Sequence, residues 1–236
     1  MSYIELMGFG PKGWGLLLLQ ATSMTIAVSS VAFLLGNVLG ALIAWARIEG
    51  GRAVRIAADG YTTVLRGIPD LLVIYLLYFG GSTLMSAIGH ALGAQGFVGV
   101  NAFASGAIAV GAISGAYQSE IFRGAFGAIA RGELEAARSV GMSRRLLFRR
   151  IIAPQSLRFA IPGLGNVWQL ALKESALISV VGLTEILRQA QVGAGSTRQP
   201  FAFFITAAAL YLLLSSVSGY GFQKAEAYGM RGVRRA

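Results

Sequence analysis

The sequence has no cysteine, which excludes disulfides, thiol chemistry and thiolate metal sites. It has one histidine, His90, and its carboxylates are scattered, so no group of side chains has metal-ligand spacing. Charge is scarce as well: 13% of residues are Asp, Glu, Lys or Arg, against about 25% in an average soluble domain. There is no nucleotide-binding loop. Gly127 and Gly132 have its spacing, but Glu133 stands where the phosphate-binding lysine must be. A Ser/His/Asp set needs a well-placed histidine, and no carboxylate pair in a soluble cleft is suggested, so catalysis by the chain itself is not expected. A basic amino-terminal region is missing too: the first 12 residues hold one lysine, and the apolar run that follows is too long for a cleavable signal peptide.

What the chain does have is apolar length. Hydrophobic residues make up 55% of it, mean hydropathy is +0.65, and several apolar blocks exceed the ~18 residues that a helix needs to cross a bilayer. The blocks are continuous, where the strands of a membrane barrel would alternate. The pattern predicts an all-α, polytopic membrane helix bundle forming one domain over residues 1–236. The net charge of +10 does not point to nucleic acid, because the basic residues crowd the ends of apolar blocks, where they set membrane orientation.

Five transmembrane helices are predicted: about Trp14–Trp45, with tryptophans as interfacial anchors; Ile56–Leu84, interrupted at Pro69; Asn101–Phe126; Ile161–Leu183; and Phe201–Phe222. Gly36/Gly40 and Gly111/Gly115 are small-xxx-small pairs that permit close helix approach. One set of loops carries Arg47, Arg52 and Arg55, then Arg131, Arg138, Arg144, Arg145, Arg149, Arg150 and Arg158, then Lys224, Arg231, Arg234 and Arg235. The other carries Lys12, Arg188 and Arg198, with a loop near residues 85–100 that has no Lys or Arg and holds a solvated His90. This asymmetry predicts a periplasmic N-terminus and a cytoplasmic C-terminus.

The loop at about 127–158 is the one long polar passage. Gly132–Val140 favours helix, with Glu133 and Glu135 in the first turn, where the dipole favours negative charge. Gly141 is placed to end that helix and Ser143 to cap a second, amphipathic one, which Pro154 is expected to interrupt. Glu135-Ala136-Ala137, then Gly141, then Ile151 and Pro154, resemble the EAA loop of ABC-importer permeases, with Ala153 where the family usually has Leu. Arg66-Gly67-Ile68-Pro69, Tyr117–Gly124 and Lys173-Glu174-Ser175-Ala176-Leu177 resemble segments of the polar amino-acid branch of that family, and more narrowly the Q-type subunits of histidine, lysine/arginine/ornithine and opine uptake systems.

The resemblance implies a type I ABC-importer permease fold in a bacterial inner membrane. It implies two ATPase subunits that bind the ATP, a second related permease chain, and a periplasmic substrate-binding protein; the chain itself needs no cofactor. In the family the short helix enters a cleft on the ATPase, which assigns Glu133, Glu135, Ala136, Ala137, Gly141 and Pro154 to coupling.

Charges inside spans are costly and need a partner or a role. Tyr117, Glu120 and Arg123 share one helix face, so Glu120 either pairs with Arg123 or meets a cationic substrate. Arg66 and Asp70 are i,i+4 partners bracketing Pro69, which either staple a kink or line a path. Lys173 and Glu174 face a partner helix or an aqueous cavity. The alternatives to an ABC permease are an ion-coupled secondary transporter, which would show more spans and an internal repeat, and a membrane scaffold, which has no need of charges within spans.

Overall fold

The computed structural model describes residues 3–93, 95–96 and 99–231, and among them every regular element is a helix. Arg234 and Arg235, and part of the loop near 85–100, lie outside the described residues. A short α1 (Tyr3–Met7) precedes α2 (Gly15–Glu49), whose 35 residues reach about 52 Å. Next comes α3 (Arg52–Gly67), and then a break: Ile68 is extended, at φ −108° and ψ 150°. Pro69 has no N–H to continue a helix and excludes the helical conformation from the residue before it.

The break corrects the second span. It was expected from Ile56, but α3 is a separate amphipathic helix carrying Arg52, Arg55, Asp59 and Arg66. The apolar span starts at Asp70, as α4 (Asp70–Tyr75), and passes through a π turn (Leu76–Gly80) into α5 (Gly81–Ala91).

Asn101 caps α6 (Ala102–Gly127), its side-chain oxygen accepting from the N–H groups of Phe103 at 2.8 Å and Ala104 at 3.3 Å. Beyond it lie α7 (Arg131–Ser139), α8 (Arg144–Leu147), a π turn (Phe148–Ile152), α9 (Ala153–Glu174), a 3₁₀ segment (Ser175–Val181), α10 (Ile186–Thr197) and α11 (Pro200–Gly229). Pro154 does not interrupt the second loop helix as expected. The chain is helical without a gap from Arg144 to Glu174, because the wider π turn just ahead of Pro154 accommodates the residue that cannot donate.

Among the described residues, three helices are long and apolar enough to cross a membrane: Gly15–Glu49, Asp70–Ala91 and Pro200–Gly229. The other two expected spans correspond to α6 and α9, of 26 and 22 residues. They are less apolar, and their position explains why. Half of α6 is buried, enclosed by α2, α9, α3 and α4, so protein rather than lipid surrounds its Ser, Gly and Gln side chains. The outer helices show the reverse pattern, with Leu34, Val38, Leu212 and Val217 turned outwards.

The most extensive pairing is α2 on α6. A Cβ on Gly36 would lie 2.7 Å from Ser114 Oγ, and one on Gly40 2.8 Å from Gln118 Cβ and 3.0 Å from the Gly115 carbonyl. A Cβ on Gly111 would meet Leu35 Cβ at 3.1 Å, and one on Gly115 would meet Leu39 Cβ at 3.1 Å. Gln118, fully buried in this seam, donates to Ser114 Oγ at 2.7 Å and to the Phe33 carbonyl at 3.3 Å. Elsewhere Phe33 of α2 meets Trp168 of α9 and Phe222 of α11 edge-on, and Leu6 of α1 is buried with Ile186 and Phe203 of α10 and α11.

Gly40→Ala should destabilise the protein by about 1–3 kcal/mol, the cost of overpacking against groups that cannot swing away. Gly124→Ala, on α6 with nothing near its Cβ position, should not. Thermal unfolding of the detergent-purified protein checks this; equal unfolding temperatures for the two variants would contradict the seam.

Candidate functional site

The α2–α6 seam delivers Arg47, from the last turn of α2, to Glu120 of α6. Arg47 Nη1 donates to Glu120 Oε1 at 2.6 Å, and Arg47 Nε pairs with Asp59 Oδ1 of α3 at 2.6 Å. Arg123 binds the other Glu120 oxygen from Nε at 3.1 Å and Nη2 at 2.8 Å. Arg66 lies 3.6 Å from Glu120 Oε1, with its guanidinium 5.4 Å from the centre of the Tyr117 ring. Three arginines thus surround one carboxylate, and the cluster ties α2, α3 and α6 together. Beside it opens a cavity of about 630 Å³, lined also by Thr62, Thr63 and Gly67. Tyr61 of α3 donates to the Ala112 carbonyl at 2.6 Å. Burial pushes its phenol up to about 12, so it remains a donor at physiological pH.

The Arg66–Asp70 pair does not form. The i,i+4 relation holds only within a helix, and the Ile68–Pro69 break lies between them. Asp70 instead sits in the first turn of α4, where the dipole favours its charge, and its carboxyl interacts with that of Glu174 at the end of α9. Glu174 is 4% exposed, and among the described residues neither of its oxygens has a hydrogen bond of good geometry. Lys173, its neighbour, is exposed. The residues singled out in the sequence therefore form two groups, one around Glu120 and one at Asp70–Glu174.

The polar loop forms a third feature. On α7, Glu133, Glu135 and Ala136 are exposed and Ala137 is buried. Gly141 ends the helix at φ +81°: its N–H donates to the Arg138 carbonyl at 3.0 Å, and that of Met142 to the Ala137 carbonyl at 3.1 Å. This double closure needs a left-handed residue. Ser143 then caps α8, accepting from the Leu146 N–H at 3.4 Å. The Gln155 side chain donates to the Glu133 carboxylate and ties α7 to the first turn of α9, beside the exposed Pro154.

A family model described as the binding-protein-dependent transport system inner membrane component matches residues 36–231. The chain belongs to this family. It is 60% identical over 235 residues to the octopine transport system permease protein OccQ of Rhizobium meliloti, covering 100% of this chain and 99% of the relative. It is 47% identical over 232 residues to the nopaline transport system permease protein NocQ of Agrobacterium fabrum, covering 98% of each. Among solved structures, an amino acid ABC transporter crystallised with histidines matches with a TM-score of 0.78 at 30% identity, over 91% of this chain and 95% of that one. The protein is an inner-membrane permease subunit of a binding-protein-dependent transport system.

Sequence reasoning missed three residues of this permease. Arg47 and Asp59 complete the Glu120 cluster, and a signal existed for the first: Gly36, Gly40 and Arg47 repeat at helical spacing along one stripe of α2. Glu185 is the third. It is fully buried, caps α10 through the N–H groups of Leu187 at 2.9 Å and Arg188 at 2.8 Å, and accepts from Tyr211 Oη at 2.6 Å. Its signal was faint, because Glu is not among the preferred capping residues.

With its carboxylate engaged by arginines on three helices, Glu120 is expected to act on stability. In a double-mutant cycle on thermal unfolding, Arg47→Gln and Glu120→Gln should be less than additive by about 1 kcal/mol, and Glu120→Gln should slow uptake of cationic and neutral substrates alike. A selective loss for cationic substrates would show instead that Glu120 meets the substrate.

Proposed function

We propose that this chain is one of two permease subunits of a type I ABC importer for opines or related cationic amino acids. Its five spans would be α2, Asp70–Ala91, α6, α9 and α11, with the N-terminus periplasmic and the C-terminus cytoplasmic. The second permease chain is a related one, two ATPase subunits bind and hydrolyse ATP, and a periplasmic binding protein delivers the substrate. This chain holds no cofactor. The likeness to octopine and nopaline permease proteins supports the substrate class, and the preponderance of basic residues in the loops on one side supports the orientation.

The single observation that carries the mechanism is continuity. The small-residue helix α7 is tied through Glu133 and Gln155 to a helix that runs without a break from Arg144 to Glu174. Those 31 residues span about 46 Å at 1.5 Å each. An ATPase subunit that grips Glu135, Ala136 and the turn at Gly141 can therefore displace the Asp70–Glu174 pair at the far end. That pair, with Lys173 and Arg66 exposed on the same chain, provides anionic and cationic groups for the two ends of a zwitterionic substrate. The break at Pro69 lets α3 and α4 move separately as access alternates.

The test is uptake in proteoliposomes holding both permease chains, the ATPase subunits and the binding protein. Octopine or arginine uptake should require ATP; uptake driven by an ion gradient without the ATPase would sink the assignment. Glu135→Arg should abolish ATP-driven uptake and ATPase co-purification while leaving membrane insertion intact, and unchanged transport would remove α7 from coupling.

Glu174→Gln should reduce uptake of guanidinium-bearing substrates about tenfold or more, the effect of removing a charged partner from a buried site, and should affect neutral ones less. Equal losses would assign Glu174 to packing.

A further inference from the structure

Arg144, Arg145, Arg149 and Arg150 fall within seven residues immediately ahead of α9. All four side chains are exposed, and among the described residues none has an ion-pair or hydrogen-bond partner. On α7, Glu133 is held by Gln155, and Glu135 is exposed and joins none of the ion pairs among the described residues. Arg145 and Arg149 stand four residues apart, the spacing that places two side chains on one helix face, and Arg144 and Arg150 flank them along the chain.

Apolar side chains accompany the arginines outwards: Phe148 is 57% exposed, whereas Leu147 is buried. The height of the group is set by the helix it belongs to. Leu157 and Phe159 are the first exposed large apolar residues of α9. Arg150 precedes Leu157 by seven residues, about 10 Å along the axis, which sets the group at the outer edge of a headgroup region ~5–8 Å deep on each side of a bilayer.

We infer that Arg144, Arg145, Arg149 and Arg150, with Phe148 inserted beside them, bind the headgroup of an anionic phospholipid in the leaflet on the α7 side. Guanidinium groups grip phosphate oxygens in pairs, and a basic cluster next to a span is drawn to an anionic membrane surface. The arginines lie on the helix that continues into the membrane, with the apolar Phe148 exposed among them, which favours lipid over a protein partner. A lipid held here braces the segment between α7 and α9, so coupling depends on the anionic lipid content of the membrane. The inference rests on α9 crossing the bilayer as proposed above; labelling of a single cysteine at Ser143 from either side checks that point separately.

The full-length chain, delipidated in detergent, is titrated with phosphatidylglycerol, phosphatidylcholine and inorganic phosphate, and bound lipid is counted by native mass spectrometry. Phosphatidylglycerol should bind about tenfold or more tightly than phosphatidylcholine and weaken as salt rises, and millimolar inorganic phosphate should not displace it. The R144Q/R145Q/R149Q/R150Q variant should lose this preference. The corresponding four-lysine variant, which keeps the charge for insertion, should retain most of it, and Phe148→Ser should weaken it with all four arginines in place. Equal retention of phosphatidylglycerol by the wild type and the four-glutamine variant would overturn the inference. So would displacement by phosphate, or loss of co-purifying ATPase subunits with lipid binding unchanged, which would assign the arginines to that partner.

Discussion

The glycine contact between α2 and α6 is the constraint from which the rest of the structure follows. Gly36 and Gly40 on one helix and Gly111 and Gly115 on the other leave no room for a side chain, so the two backbones meet closely and in one rotational phase. That phase decides which later residues face each other. Arg47 lies seven residues beyond Gly40 on the same stripe, and Glu120 lies five beyond Gly115, which brings them within 2.6 Å. Arg47 then captures Asp59 and fixes α3, and Arg66 follows from α3. A packing feature among glycines thus sets the position of the most charged site in the molecule.

The two prolines of the polar segments have opposite effects, and the difference lies in what precedes them. Pro69 follows an extended Ile68, and the helix stops. Pro154 follows a π turn, and the helix goes on. A proline removes the hydrogen bond to the carbonyl four residues back; a turn that has already widened has less to lose. The chain therefore places a break between α3 and α4 and keeps an unbroken helical shaft from α8 through α9. The alternation of access proposed for this permease would use both.

These outcomes explain which parts of the molecule could be read from the sequence. The glycine pairs, the first span, the Ser143 cap and the turn at Gly141 all depend on residues close in sequence, and each took its expected place. The Arg66–Asp70 pair failed although its spacing was correct, because the rule presumes a continuous helix and Pro69 denies one. The second span was misjudged because α3 alternates apolar and polar faces, which on a bilayer-length window blends into the apolar run after Asp70. Glu120 could be paired with Arg123 on its own helix. Arg47 could not be added without the α2–α6 phase, which joins residues 73 apart.

Three carboxylates lie within the helix packing, and they are stabilised in three ways. Glu120 is neutralised by arginines, which makes it a structural tie. Glu185 accepts two backbone N–H groups and the Tyr211 hydroxyl, neutral donors that stabilise it without a counter-ion. Glu174 has neither: it is buried, it faces Asp70, and its oxygens lack well-formed hydrogen bonds. Its contact is with the Asp70 carboxyl of α4, a pairing that repulsion weakens when both acids are ionised. It stands at the end of the shaft that begins at the polar loop, and beside the helix start freed by Pro69. In the mechanism proposed above, movement arriving along α9 meets this carboxyl at its contact with Asp70, which has less to hold it than the arginine cluster around Glu120 or the donors around Glu185.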